Sequence, residues 1–126
     1  NVGWDTNGAA VPTEKGESKN STTDLAHELG HIQSYWYIED HASKWIDIEV
    51  APGKYRQITQ SEKWATHVEN KVRAEMGLPL RTCYSETKGG RTYGRLLNNG
   101  SSIYIDASEN FYPKKVPKNR QPYRYR

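Results

Sequence analysis

Two stretches of the chain place apolar residues at the spacing of a helix. The first stripe consists of Leu25, Leu29, Ile32 and Trp36. Because these positions lie on one side of a helix, and residues 21–24 offer N-cap side chains, we predict a helix over 22–37 that buries the stripe in the core. The second stripe consists of Trp64, Val68, Val72 and Met76. It predicts a second helix that starts near Ser61 and ends before Gly77 and Pro79.

Shorter patterns predict strands. Residues 45–50 alternate apolar and acidic side chains, and a turn at 51–54 leads back into a partner strand over 55–59. The segment Asn98-Asn99-Gly100 is a hairpin signal between two further strands. The expected fold class is therefore α+β, with two helices and a small, mostly antiparallel sheet.

The two ends of the chain carry no helical pattern. Residues 1–4 predict a short strand, and the polar residues 5–21 predict a long loop. The three prolines and six basic residues of 113–126 predict an extended tail without a core of its own. We therefore divide the chain into a domain over 1–112 and a basic, Pro-rich tail over 113–126.

Charge separates these two parts. The 126 residues include 18 Lys and Arg against 15 Asp and Glu, a net charge of +3. Six of the basic residues and none of the acids lie in 113–126, so residues 1–112 carry a net charge of −3. This distribution disfavours a nucleic-acid-binding domain. The length allows one domain, and no apolar run approaches the roughly 20 residues of a membrane helix.

One short motif predicts chemistry. His27-Glu28-Leu29-Gly30-His31 places two imidazoles four residues apart, on one face of the first predicted helix and one turn apart. At about 100° per residue, His27, Glu28 and His31 lie away from the apolar stripe. Two neutral His and a carboxylate suit Zn²⁺ and leave a position for water. Glu28 is then the candidate general base, and Gly30 allows another backbone or a substrate to approach closely.

A third protein ligand must come from elsewhere. Ser34 and Tyr37 replace the Gly and His of a His-x-x-Gly-x-x-His extension, which excludes the zinc-peptidase class that has it. The second helix offers Glu62 and Glu69, but they lie about 10 Å apart along that helix and cannot bind one ion together. Glu62 begins Glu-Lys-Trp-Ala, which resembles the Glu-x-x-Ala pattern at the third ligand of several gluzincins. We predict Glu62 as the ligand, with Glu69 as the alternative.

Other side chains have weaker patterns. Tyr84 and His67 are candidates for the donor that stabilises an oxyanion or contacts substrate, although an ordinary packing role fits both. Cys83 is the only cysteine, so no disulfide can form within the chain, and a half-buried thiol is the expected state. Arg73 and Arg81 can either bridge elements or meet a substrate carboxylate.

Three segments together resemble a known family. They are Val2-Gly-Trp-Asp5, the motif 27–31, and the block 69–84 (Glu-Asn-Lys-Val-Arg-Ala-Glu-Met-Gly-Leu-Pro-Leu-Arg-Thr-Cys-Tyr). In this order they resemble the NleD-like effector metallopeptidases, which include type III secretion effectors and toxin domains of Rhs-type proteins. The resemblance covers residues 1 to about 85. The chain departs from the family pattern where Thr66-His67-Val68 stands in place of a Thr-Val-Gly run.

The resemblance implies a minimal gluzincin-like zincin fold and a zinc endopeptidase that cuts a protein in a target cell. The expected partners are a protein or peptide substrate and an immunity or inhibitor protein, and we expect a monomer. The first residues lack the features of a signal peptide. The resemblance implies a protein that is secreted, or delivered into a target cell by a bacterial secretion system. Two alternatives remain: a zinc amidohydrolase acting on cell-wall peptide, and a non-enzymatic zinc module that binds through its basic tail.

Overall fold

The computed structural model describes residues 11–18, 20–86 and 90–126. The elements in chain order are β1 (Val11–Thr13), β2 (Gly16–Ser18), α1 (Ser21–Tyr37), β3 (Lys44–Ala51), β4 (Lys54–Thr59), α2 (Ser61–Glu75), β5 (Cys83–Glu86), β6 (Thr92–Arg95), β7 (Leu97–Asn98), β8 (Ser101–Asp106) and β9 (Pro122–Arg124). Three hairpins pair β1 with β2, β3 with β4 and β5 with β6, and a three-stranded sheet has the order β7-β8-β9. Strand pairing throughout these ranges is antiparallel. The mixed α+β class is confirmed.

The N-terminal predictions have different outcomes. The strand expected over 1–4 lies outside the described residues. The loop expected over 5–21 is wrong at 11–18, where β1 and β2 form a hairpin. Its anchors are distant in sequence: the backbone N–H of Glu14 donates to the carbonyl of Leu80 over 2.9 Å, and the Leu80 N–H donates to the Glu14 carboxylate over 2.9 Å. Local polarity could not predict a pairing that depends on the segment after α2.

Helix α1 begins one residue before the prediction and ends where predicted. Its N-cap is Asn20, whose side chain accepts a hydrogen bond from the Thr23 N–H over 3.0 Å. The predicted caps in 21–24 therefore lie inside the helix. Asp24 in the first turn interacts favourably with the positive end of the helix dipole.

The prediction that α1 buries its apolar stripe is wrong. Leu25, Leu29 and Ile32 are exposed, and the exposed fraction of Trp36 is 82%. The face that packs inside carries small side chains instead, namely Thr23, Ala26, Gly30 and Ser34. The reason is the close pairing of α1 with α2, which large side chains would prevent.

Gly30 marks the closest approach of the two helices. A Cβ atom added to Gly30 would lie 2.7 Å from the Cα of Ala65 on α2 and 3.1 Å from the Cβ of Val68. The prediction that Gly30 allows another backbone to come near is confirmed, and that backbone is α2. The motif face of α1 is thus held against the helix that carries Glu62.

Helix α2 has the predicted start and stop. Gly77 has a φ of +71°, and the Leu78 N–H donates to the Arg73 carbonyl over 2.8 Å. This pattern is a Schellman C-cap. Of the predicted apolar face, Trp64 is buried, whereas Met76 is exposed.

The two predicted hairpins are confirmed. In the first, β3 pairs with β4 across a turn in which Gly53 has a φ of +73°. In the second, β7 pairs with β8 across Asn99 and Gly100, whose φ values are +51° and +81°. Positive φ at both central residues fits the twist of the two strands.

Residues 113–126 are built into the fold. Strand β9 pairs with β8, joining Ser101 to Arg124 and Asp106 to Pro122. Tyr123 packs against a core cluster of Ile38, Trp64 and Ile105. The segment therefore shares the core of the preceding residues, which its proline and charge content did not indicate. In the described part of the chain, no helix is long and apolar enough to cross a membrane.

Candidate metal centre

Three predicted ligands meet between the two helices. The Nε2 atoms of His27 and His31 lie 2.8 Å and 3.1 Å from Oε1 of Glu62. One potential ligand atom from each residue lies within 4.8 Å of the others. Atoms bound about 2.0–2.1 Å from one tetrahedral ion are about 3.4 Å apart, so a small shift would accommodate an ion. This group can hold a metal ion.

Local sequence explains how the donors converge. His27 and His31 are one turn apart on α1, and Glu62 lies in the first turn of α2. The close contact at Gly30 brings the two helices together at this level. All three side chains are partly buried, with exposed fractions of 11%, 19% and 14%, so the site is open to solvent on one side.

Glu69 orients His27. Its Oε1 atom lies 2.8 Å from Nδ1 of His27, and the imidazole donates this hydrogen bond because the carboxylate can only accept. The proton is thereby held on Nδ1. Nε2 of the same ring lies 2.8 Å from Oε1 of Glu62 and donates to that carboxylate, so it can bind a metal ion once its proton leaves. Carboxylates behind metal-binding imidazoles act in this way in many metal sites.

Two arginines hold Glu69 in turn. The Nε of Arg73 donates to Oε2 over 2.7 Å, and a terminal nitrogen of Arg81 donates to Oε1 over 2.8 Å. Burial alone would raise the pKa of Glu69, but the charge of Arg81, the hydrogen bond from His27 and the charge of Arg73 hold it well below its usual range. Glu69 therefore stays ionised within the protein.

His31 is oriented by two serines. Ser34 donates to the backbone carbonyl of His31 over 2.7 Å, so its oxygen accepts from Ser61 over 2.6 Å. The Ser61 oxygen is then the acceptor for Nδ1 of His31 at 2.7 Å. This chain of hydrogen bonds holds Nδ1 of His31, so that Nε2 faces Oε1 of Glu62 at 3.1 Å.

The pKa shifts of Glu62 and His27 show that their surroundings stabilise a positive charge between them. Burial opposes charge on both partners, but the hydrogen bonds from His27 and His31 hold the pKa of Glu62 below its ordinary range. Burial likewise lowers the pKa of His27, and the hydrogen bonds to Glu62 and Glu69 overcome this and raise it. A positive charge is thus stabilised between the imidazoles and Glu62, and a metal ion supplies it after the proton leaves.

Glu28 and Tyr84 are the two candidate catalytic residues. Glu28 is partly buried beside His27. Burial raises the pKa of Tyr84, and the negative charges of Glu62 and Glu28 raise it further. Arg81 links this side to Glu69, because its other terminal nitrogen donates to the Tyr84 carbonyl over 2.7 Å.

The remaining sequence candidates lie elsewhere. His67 is buried against Glu109 and Tyr125, at 2.9 Å and 2.6 Å, which leaves neither ring nitrogen for an oxyanion. Cys83 is buried in β5 and is not a member of the metal-binding group. Asn70 exchanges two hydrogen bonds with the backbone of Arg81, at 2.8 Å and 3.1 Å, and fixes the segment that carries this arginine.

Sequence reasoning left two roles undetermined. The pairing of Arg81 with Glu69 joins residues far apart in the chain, and only their shared presence in the block 69–84 hinted at it. Ser61 behind His31 had no signal, since a serine at a helix start is ordinary. Neither role follows from local spacing.

No protein-family model, curated protein or solved structure matches this chain at a significant level.

Proposed function

We propose that this protein is a zinc-dependent endopeptidase with a gluzincin-like active site. The observation that carries the proposal is that Nε2 of His27 and Nε2 of His31 lie 2.8 Å and 3.1 Å from the same Glu62 oxygen. Two imidazoles and one carboxylate suit Zn²⁺ and are the ligand set of thermolysin-like peptidases.

The number of ligands supports catalysis over a purely structural role. Among the residues that the structure describes, no fourth His, Cys, Asp or Glu joins the group. Structural zinc sites are closed by four protein ligands, whereas catalytic sites keep a position for water. The part exposure of His31 and Glu62 gives that water access.

The roles of the chain's own residues follow from their positions. The chemistry that Zn²⁺ supplies when bound is a lowered pKa of water, to about 7, and polarisation of a carbonyl oxygen. Glu28 accepts the proton of the attacking water and delivers it to the leaving amine. Tyr84, kept protonated by burial and by the nearby carboxylates, donates a hydrogen bond to the developing oxyanion.

The biological setting of the proposal is a toxin or effector that acts in a target cell after delivery by a bacterial secretion system. The support is the resemblance of the block 69–84 and the motif 27–31 to NleD-like metallopeptidases. In the structure, Glu69, Asn70, Arg73 and Arg81 of this block buttress the metal-binding group.

The experiment compares target cells that receive the native protein with cells that receive Glu28→Ala, and maps new protein N-termini by mass spectrometry. We expect new termini with the native protein alone, while both proteins contain one equivalent of zinc. Glu39→Ala, an exposed glutamate after the same helix, is the matched control and keeps activity. Equal biological activity of Glu28→Ala and native protein would refute the peptidase. New termini in cell-wall peptide alone would indicate the amidohydrolase instead.

A further inference from the structure

A second site lies among the C-terminal strands. A cavity of about 590 Å³ opens between the β7–β8 hairpin and residues 115–122. Four basic residues line it, namely Arg95, Lys115, Lys118 and Arg120. We call it the basic pocket, and its lining includes no Asp or Glu.

The backbone on both sides of the basic pocket is fixed. The Val116 N–H donates to the Ile103 carbonyl over 2.9 Å, and the Ala107 N–H donates to the Gln121 carbonyl over 2.7 Å. The segment that supplies three of the four cations is thus bonded to β8 at Ile103 and to the residue that follows β8, Ala107. The pocket is formed before any ligand arrives, which lowers the entropic cost of binding.

The four cations are not neutralised within the described residues. None of them forms an ion pair there, and all four are exposed. Gathering like charges around one concavity costs free energy and raises the local concentration of anions. An acidic ligand would remove that cost.

We propose that the basic pocket binds an acidic segment of a partner protein. Carboxylate side chains would meet the lysines and arginines, and Ile103 and Pro117 offer apolar surface for neighbouring side chains. A nucleic-acid strand fits less well because no aromatic residue lines the pocket for base stacking. The net charge of −3 on residues 1–112 also repels a long polyanion.

The test uses the full chain carrying Glu28→Ala, so that cleavage cannot consume the probe. A fluorescent peptide of Glu, Asp and Leu, a matched peptide with Gln and Asn in place of the acids, and a single-stranded oligodeoxynucleotide are titrated by anisotropy. The double variant Lys115→Glu/Lys118→Glu removes two cations whose side chains form no ion pair among the described residues. Lys54→Glu/Lys114→Glu makes the same charge change at exposed lysines outside the pocket.

We expect the acidic peptide to bind, the neutral peptide not to bind, and the pocket variant to lose at least about tenfold in affinity. The control variant should lose much less, and amide shifts in the NMR spectrum of the unmutated pocket should cluster at 101–103 and 115–121. Equal losses in both double variants, tighter binding of the oligodeoxynucleotide, or no binding of the acidic peptide would each overturn the proposal. Because these measurements do not involve the metal centre, their failure leaves the peptidase proposal intact.

Discussion

Oε1 of Glu69 lies 2.8 Å from Nδ1 of His27, and the same oxygen accepts from Arg81 over 2.8 Å. One buried carboxylate thus joins the α1 imidazole to the segment before β5. This relationship explains how α2 can carry two glutamates facing one site. Glu62 lies next to Nε2 of His27, and Glu69 binds Nδ1 of the same ring.

The first prediction concerns Glu69→Gln. Loss of the carboxylate weakens the orientation of His27, so we expect zinc affinity to fall about 10–100-fold without loss of the site. It also leaves Arg73 and Arg81 without their buried counter-charge, which should lower the free energy of unfolding by about 3–5 kcal/mol. Affinity is measured by competition with a zinc-chelating dye.

Two further variants make this result interpretable. Glu75→Gln changes an exposed glutamate on the same helix and should leave affinity unchanged. Ser61→Ala disturbs the orientation of His31 without unpairing a charge, so it tests the same principle if Glu69→Gln does not fold. Unchanged affinity in both Glu69→Gln and Ser61→Ala would show that these hydrogen bonds do not position the ligands.

The second prediction concerns Gly30→Ala. The new Cβ would meet the Ala65 Cα at 2.7 Å, so α1 and α2 must move apart. We expect a loss of about 1–3 kcal/mol in the free energy of unfolding, together with weaker zinc binding, because the ligands lie on both helices. Gly53→Ala is the control: it strains a residue with φ of +73° but meets no atom within 4 Å. It should destabilise the protein and leave zinc affinity unaltered.

The third prediction concerns pH and His67. Burial lowers the pKa of His67 to about 4, below the ordinary value of 6.5. The unfolded chain therefore binds the proton more tightly, and stability is lost as the pH falls from about 6.5 towards 4. Between pH 7 and pH 5 this single group should remove about 2 kcal/mol.

Denaturant unfolding of the metal-free protein at both pH values measures this effect. His67→Gln should flatten the dependence, whereas His41→Gln, on the loop after α1, should retain it. An equally steep loss in His67→Gln would assign the pH sensitivity to other groups.

The fourth prediction concerns Tyr84→Phe. Removing the hydroxyl should lower kcat by about 10²-fold on a substrate identified from the new termini, with little change in KM or zinc content. Tyr93→Phe is the control, because Tyr93 is paired with Ser85 and faces the opposite side of the β5–β6 hairpin from Tyr84. Equal effects of the two substitutions would place the influence of Tyr84 in packing.

Local residue spacing predicted part of the fold and of the site, and contacts between separate segments determined the rest. The spacing of His27 and His31 requires only one helical turn, so their proximity was predictable. The periodicity of Leu25, Leu29 and Trp36 correctly predicted a helix but not its buried side, because α1 packs through its small residues. An apolar stripe shows that the two faces of a helix differ in polarity. It does not show which face packs against the rest of the protein.

Distant contacts account for the other differences. The β1–β2 hairpin is anchored by hydrogen bonds between Glu14 and Leu80. The buried carboxylate of Glu69 is stabilised by an ion pair with Arg81. The pairing of β9 with β8 likewise joins segments with no shared local pattern. Each of these contacts joins different segments of the chain, and the local periodicity of either segment does not identify its partner.

The most direct test of the metal centre is an anomalous-difference map, recorded at the zinc edge, from crystals grown with zinc. We expect one peak about 2.0–2.1 Å from Nε2 of His27, Nε2 of His31 and a Glu62 oxygen, with a water completing the coordination. A peak bound by Glu69 in place of Glu62, or an ion closed off by a fourth protein side chain, would contradict it.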